Sequence, residues 1–185
     1  MRVCEEFPNS YWVGPGAFAA GEYPGSVNAE DARDKLAHLL RCGIDLFIDL
    51  TERDELKPYD AVLFQQAAEG DPRAGYLRMS ICDMSVPTPA EMTAILNAID
   101  AAMEAGRTVY LHCWGGIGRT GTVVGCYLVR HGLDGAAALK RVAELFAVMP
   151  KAIYHQSPQT HAQCAFVRDW IESGADAESS PEAQN

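Results

Sequence analysis

His112–Gly121 reads His-Cys-Trp-Gly-Gly-Ile-Gly-Arg-Thr-Gly and brings a thiol, a guanidinium and four glycines into one short stretch. The stretch follows Val109-Tyr110-Leu111, an apolar run that indicates a short buried strand, and it precedes apolar residues at helical spacing from Val123 onward. A glycine-rich turn at the start of a helix presents unpaired backbone N–H groups beside the positive end of the helix dipole, and this arrangement binds anions. Because five residues separate Cys113 from Arg119, the turn can place the sulfur beneath a tetrahedral oxyanion and the guanidinium beside it. The stretch therefore predicts a phosphate-binding loop that carries its own nucleophile.

Segments with strand character alternate with segments of helical periodicity along the chain. Strands are predicted at 11–13, 44–50, 76–81 and 109–111. Cap residues, glycines and prolines mark the boundaries of the predicted helices. The helices run from Asn28 to Gly43, from the capping box Thr88–Glu91 to Gly106, from the phosphate-binding loop to Gly132, from Asp134 to Pro150, and onward from Ser157-Pro158. Strands that alternate with helices make right-handed crossovers. The predicted fold is therefore α/β, with a central, largely parallel sheet flanked by helices on both faces.

The length of 185 residues fits one domain, which is assigned to residues 1–173. Residues 174–185 are small, polar and acidic without periodicity, which predicts a disordered tail. The apolar runs are shorter than a membrane span, and the first residues lack the basic and apolar pattern of a secretory signal. We therefore expect a cytoplasmic protein.

The formal net charge of −10 argues against a general surface for nucleic acid or anionic membranes, because such surfaces usually carry clustered Lys and Arg. Neither partner is expected, an anionic substrate has to be captured locally, and the oligomeric state is left open. The six cysteines show neither CxxC nor Cys/His spacing, so no metal site is predicted. Cys42, Cys126 and Cys164 are expected to be reduced core residues. For Cys82 a core role is favoured over a resolving thiol for Cys113.

Cys113 is the predicted nucleophile, because the helix start, the loop amides and Arg119 all favour its thiolate. Arg119 can hold two phosphate oxygens bidentately, which the point charge of a lysine cannot do with the same geometry. Thr120 is predicted to donate its hydroxyl to the sulfur, and His112 is expected to orient the loop rather than act as a base. This chemistry needs no cofactor.

The departing oxygen needs a proton, and Asp83 is the candidate general acid because it lies on a loop just past a predicted strand, upstream of Cys113. The carboxyl ends of parallel strands share one rim, so both loops are expected to open there. Asp49 and Asp100 are expected to be structural or solvated, and the charged connection 51–59 is expected to be solvated only. Tyr23 either lines the substrate pocket or covers the core.

His-Cys, five residues and Arg-Thr-Gly resemble the signature of the cysteine-based protein tyrosine phosphatase superfamily, and the order of segments over residues 11–172 resembles its tyrosine and dual-specificity members. The compact size and the loop Asp-Met-Ser-Val-Pro at 83–87 resemble the dual-specificity branch. The resemblance implies that Asp83 is the mobile-loop acid, Cys113 the nucleophile, Arg119 the phosphate clamp and Thr120 its hydroxyl partner. It also implies phosphate binding by the backbone amides of the loop residues Trp114, Gly115, Gly116, Ile117, Gly118 and Arg119. Gln159 and Gln163 resemble glutamines that position the hydrolytic water in some members.

These features predict a phosphomonoester hydrolase that acts through a phosphocysteine intermediate on phosphotyrosine, and also on phosphoserine or phosphothreonine, in proteins, or on a small phosphomonoester. The loop lacks the lysines that relatives directed at phosphoinositides place there, which disfavours polyphosphorylated lipids. A catalytically inactive phosphate-binding or phosphoprotein-binding module is the alternative. Such a module usually lacks the cysteine, the arginine or the acid, and Cys113, Arg119 and Asp83 are all present.

Overall fold

A computed structural model describes residues 9–14, 16–69 and 73–172, which form one five-stranded sheet covered by helices on both faces. The elements, in chain order, are β1 Ser10–Gly14, β2 Phe18–Gly21, α1 Ala29–Arg41, β3 Leu46–Asp49, α2 Asp60–Glu69, β4 Gly75–Arg78, α3 Pro89–Glu104, β5 Val109–His112, α4 Gly118–Arg130, α5 Gly135–Phe146, a 3₁₀ turn Pro150–Ile153, and α6 His161–Arg168. The predicted tail at 174–185 lies outside the described residues.

The sheet has the strand order β1-β2-β5-β3-β4, in which β1 and β2 are antiparallel and every other pair is parallel. The prediction of a largely parallel sheet is thus confirmed. In the parallel register of β5, β3 and β4, Asp49 pairs with both His112 and Arg78. Strands β3, β4 and β5 therefore end at the same level, and the loops that follow them open on one rim.

Two apolar clusters cover the two faces of the sheet. The larger cluster joins the sheet to α3, α4, α5 and α6 through residues such as Leu96, Val124 and Val142. The smaller cluster joins it to α1 and α2 through Leu36, Leu63 and their neighbours. None of the described helices is long and apolar enough to cross a membrane.

The helix starts predicted at Asn28 and at Thr88 are confirmed by hydrogen bonds to their cap residues. Thr88 closes the predicted capping box with Glu91, and Asn28 accepts the N–H of Glu30 at the start of α1. The last helix begins at His161, later than the predicted Ser157-Pro158, because Thr160 and Gln163 form its capping box.

Strand β2 and helix α2 were not predicted. Phe18–Gly21 is buried on both faces, so it lacks the alternation by which a half-exposed strand is recognised. Strand β3, predicted at 44–50, covers Leu46–Asp49, and all four of its residues are buried.

The cysteines differ from their predicted roles at two positions. Cys42, expected to be a reduced core thiol, is half-buried at the end of α1 and is disulfide-bonded. Cys82 is exposed, so the favoured core role is wrong. Cys126 is a free, buried thiol as predicted, and burial raises its pKa. Cys164 is free and partly buried.

Candidate active site

Cys113 follows β5 directly and lies at the base of a cavity of about 370 Å³ at the rim of the sheet. Its side chain is 3% exposed. The cavity is also lined by residues of the phosphate loop, the loop that follows β4, and the chain before and within α6, namely Asp83, Met84, Trp114, Gly115, Ile117, Gly118, Arg119, His155, Gln159 and Gln163. The structure therefore brings the predicted nucleophile, clamp, acid and glutamines to one place.

The phosphate loop, residues 113–118, runs into the first turn of α4. The N-cap residue Ile117 makes no side-chain hydrogen bond to the helix, so the first N–H groups of α4 are not capped from within. Gly116 has a φ of 70°, and a Cβ there would lie 2.4 Å from the carbonyl carbon of Gly21. Only glycine fits at this position, because the loop has both a left-handed backbone and a close approach to the β2–α1 connection.

Arg119 is almost fully buried and holds its guanidinium between the loops that follow β3 and β4. It forms a bidentate ion pair with Glu55, with Nη1 2.8 Å from Oε2 and Nη2 2.6 Å from Oε1. Nη1 also donates to the carbonyl of Ile81 at 3.2 Å. Glu55 thus occupies the end of the guanidinium, and within the described residues the Nε–H has no hydrogen-bond partner, which leaves the Nε–Nη2 edge for a phosphate.

Glu55 lies in the connection 51–59, which was expected to be solvated only, and that expectation is wrong. Its side chain is 18% exposed, and its carboxylate also accepts the N–H of Glu52 at 2.9 Å. The hydrogen bonds from Arg119 lower the pKa of Glu55, against the opposing effect of partial burial. The ion pair is therefore fully formed at neutral pH and is lost only as the pH falls through this lowered pKa.

Replacing Glu55 with glutamine should lower kcat/KM for an aryl phosphate about ten-fold, because one charge-assisted bond is lost and an amide N–H₂ then faces a guanidinium donor. Asp54→Asn is the matched control, since Asp54 is exposed, has a φ of 66° that asparagine also adopts, and lies next to Glu55 in sequence. Steady-state kinetics of both variants checks the prediction. Unchanged kinetics in the Glu55 variant would show that Arg119 does not depend on this partner.

Asp83 lies at the mouth of the cavity with its side chain 51% exposed. Its Oδ1 is 3.0 Å from Nη2 of Arg119, so the carboxylate and a bound phosphate approach the same edge of the guanidinium. A phosphate bound at this edge would therefore lie beside the Asp83 carboxyl group.

His112 lies beneath the loop in a fully buried network. Tyr59 Oη is 2.6 Å from its Nε2, and its Nδ1 is 3.1 Å from the carbonyl of Cys113. Burial lowers the pKa of His112, against the raising effect of Asp49, so the ring is neutral, donates from Nδ1 and accepts from Tyr59. This position fits loop orientation.

Asp49 and Tyr23 complete the packing around His112. Asp49 is buried and accepts hydrogen bonds from Thr51, Tyr76 and Arg78, so it is structural as expected. Burial would raise its pKa, but the hydrogen bonds from Tyr76 and Thr51 lower it. Tyr23 packs its ring against those of Tyr59 and His112 and does not line the cavity, so it covers the core.

The Thr120 hydroxyl is buried and has no hydrogen-bond partner among the described residues. Its predicted bond to the sulfur of Cys113 stays a prediction.

The two glutamines differ in their surroundings. Gln163 is fully buried, and its Oε1 accepts the N–H groups of Gln159 and Thr160, each at 3.1 Å. Its Nε2 donates to the carbonyl of Ser85 at 3.1 Å, which joins α6 to the Asp83 loop. Gln159 is exposed at the cavity, and its side-chain amide makes no hydrogen bond to any part of the chain that the structure describes. Gln159 is therefore the one whose amide is open to a water.

A family described as "PTP-SAK: Swiss Army Knife protein, DSP-PTPase phosphatase domain" matches residues 8–178. The chain belongs to this DSP-PTPase phosphatase family. The structure of Tk-PTP in its active form has a TM-score of 0.70 and 22% sequence identity, over 90% of this chain and 100% of that one.

Two curated relatives match shorter stretches. Phosphatidylglycerophosphate phosphatase PTPMT2 of Arabidopsis thaliana is 36% identical over 72 residues, which is 38% of this chain and 30% of that protein. Dual specificity protein phosphatase CDC14B of Mus musculus is 41% identical over 44 residues, which is 24% of this chain and 9% of that protein. The chain thus spans less than a third of either relative, and the match over residues 8–178 identifies it as a phosphatase-family protein.

Proposed function

We propose that this protein hydrolyses phosphomonoesters through a phosphocysteine at Cys113. One observation carries the proposal, namely that a buried cysteine, the Nε–Nη2 edge of Arg119 and the carboxyl of Asp83 border the same cavity. The thiolate attacks phosphorus, the bond to the leaving oxygen breaks, and Asp83 gives that oxygen its proton. Water then attacks the phosphocysteine and gives a proton to Asp83, the P–S bond breaks, and inorganic phosphate leaves.

The electrostatics of the mouth support a substrate with a single phosphate. Arg119 shares its charge with Glu55 and Asp83, and the phosphate loop itself contains no lysine. Trp114 and Met84, 61% and 51% exposed, border the opening with apolar surface. An aromatic ring that carries the phosphate can pack against such surface, so we favour phosphotyrosine in a protein over phosphoserine or phosphothreonine.

A lipid phosphomonoester is the second candidate substrate, favoured by the identity shared with a phosphatidylglycerophosphate phosphatase. The two candidates differ in what surrounds the phosphate, a peptide in one case and an acyl-chain surface in the other.

A substrate panel tests the proposal. We expect kcat/KM to be highest for a phosphotyrosine peptide, lower for the matched phosphoserine peptide, and lowest for phosphatidylglycerophosphate in detergent micelles. Release of inorganic phosphate is measured for all three at equal concentration. A higher kcat/KM for the lipid would show that the substrate is a lipid and not a phosphoprotein. Failure to hydrolyse any of the three, or a generic aryl phosphate, would favour the inactive binding module.

A further inference from the structure

Four carbonyl groups of the phosphate loop are hydrogen-bonded to groups that do not line the cavity. The pairs are Cys113 O with His112 Nδ1 at 3.1 Å, Trp114 O with Tyr23 N at 2.9 Å, Gly115 O with Lys151 Nζ at 2.9 Å, and Ile117 O with Ser157 Oγ at 2.8 Å. Among the described residues that line the cavity, none of these four donors is found. The loop carbonyls are thus drawn away from the phosphate position.

A trans peptide points its carbonyl and the N–H of the next residue in opposite directions. Each donor therefore turns the next N–H group to the opposite side of the loop, including that of Gly116 through the carbonyl of Gly115. Inward N–H groups are what an oxyanion needs from such a loop.

Among the peptide groups of the loop, the one between Gly115 and Gly116 is the least constrained by side chains, because neither flanking residue has a Cβ. It could turn its carbonyl inward without a side-chain clash. A carbonyl dipole that faces the cavity would repel a phosphate, so this peptide needs an external partner.

Lys151, in the 3₁₀ turn Pro150–Ile153, supplies that partner. Its side chain is only 21% exposed, and its ammonium also bonds Glu22 Oε2 at 2.7 Å. Glu22 follows Gly21, whose backbone packs against Gly116 on the outer side of the loop. The ion pair therefore fixes the ammonium behind the glycine-glycine peptide.

We propose that Lys151, held by Glu22, is a positioning residue that keeps the Gly115–Gly116 peptide with its N–H toward the bound phosphate. The inference rests on the proposed phosphatase function for the identity of the anion. Lys151 does not touch the phosphate, since its ammonium lies behind the loop. It acts on the fraction of molecules whose loop is competent to bind, and a lower competent fraction weakens apparent affinity in proportion.

Lys151→Met tests the proposal, because methionine fills similar space without a donor. We expect the dissociation constant for tungstate, an unreactive oxyanion, and the KM for an aryl phosphate both to rise about ten-fold, with kcat changed less than about two-fold. Lys151→Arg keeps a charged donor and should recover most of the affinity. Lys35→Met is the matched control, because Lys35 lies 4.0 Å from the same Glu22 and donates to Gly25 rather than to the loop.

Isothermal titration calorimetry with tungstate measures the affinity, and steady-state kinetics measures kcat and KM. Affinity and KM equal to those of the wild type would overturn the proposal. A fall in kcat at unchanged KM would also overturn it, because that result indicates a loss of folded enzyme. An equal effect in Lys35→Met would overturn it as well, because that result indicates a long-range electrostatic attraction of the anion. If the wild-type protein hydrolyses no phosphomonoester, the proposed function fails, while the tungstate affinities still decide the role of Lys151.

Discussion

Cys113→Ser should lower the turnover of an aryl phosphate by about 10,000-fold or more, the scale seen when a catalytic nucleophile is removed. A serine hydroxyl at this position is not ionised, so no covalent phosphoryl intermediate forms at a useful rate. Affinity for the unreactive oxyanion tungstate should stay close to that of the wild type, because the loop amides and the Arg119–Glu55 ion pair are untouched. Kinetics and isothermal titration measure the two effects separately.

Cys164→Ser is the control for this experiment. Cys164 is a free thiol in α6 that donates weakly to the carbonyl of Pro158, and a serine hydroxyl can do the same. Its activity should match that of the wild type. Wild-type turnover by the Cys113 variant would show that this cysteine is not the nucleophile.

Asp83→Asn should lower the rate about 100-fold on an alkyl phosphate, whose leaving oxygen needs a proton, and less than about five-fold on a phosphate with an activated phenol. The amide keeps the size of the carboxyl but carries no acidic proton. Rates measured across a series of leaving groups of increasing basicity should therefore fall more steeply in the variant.

Cys82→Ser is the neighbouring control, since Cys82 is exposed on the same loop and lies beside the acid. It should leave the dependence on the leaving group unchanged. An equal loss on good and poor leaving groups in the Asp83 variant would point to another acid.

The meeting of Cys113 and Asp83 could be predicted from the sequence because a topological rule covers it. Each residue follows a predicted strand, and the carboxyl ends of parallel strands share one rim. The register between β3, β4 and β5 confirms the rule, and no knowledge of side-chain packing was needed.

The roles of Glu55 and Lys151 could not be predicted in the same way. Glu55 lies 64 residues from Arg119 in a connection rich in charges, and no local pattern distinguishes the one carboxylate that reaches a buried guanidinium from its solvated neighbours. Lys151 bonds a loop carbonyl 36 residues away, from a 3₁₀ turn that has no sequence periodicity. Such partners depend on tertiary placement.

Gln163 shows how one residue can satisfy two patterns. Its place three residues after Thr160 is a capping box, and the same side chain reaches the loop of Asp83. The sequence contains the capping signal, whereas the family resemblance predicts that this glutamine positions a water. The burial of its amide makes the exposed Gln159 the stronger candidate for that role.

A covalent phosphocysteine can be trapped by denaturing the protein during turnover at alkaline pH, where the S–P bond is stable. The wild-type protein is mixed with an aryl phosphate, quenched within one turnover, digested and analysed by mass spectrometry, with Cys113→Ser treated in parallel. We predict the added mass of one phosphoryl group on the peptide that contains Cys113, and none in the variant. A phosphoryl group on any other residue, or undiminished turnover by the variant, would show that Cys113 is not the nucleophile.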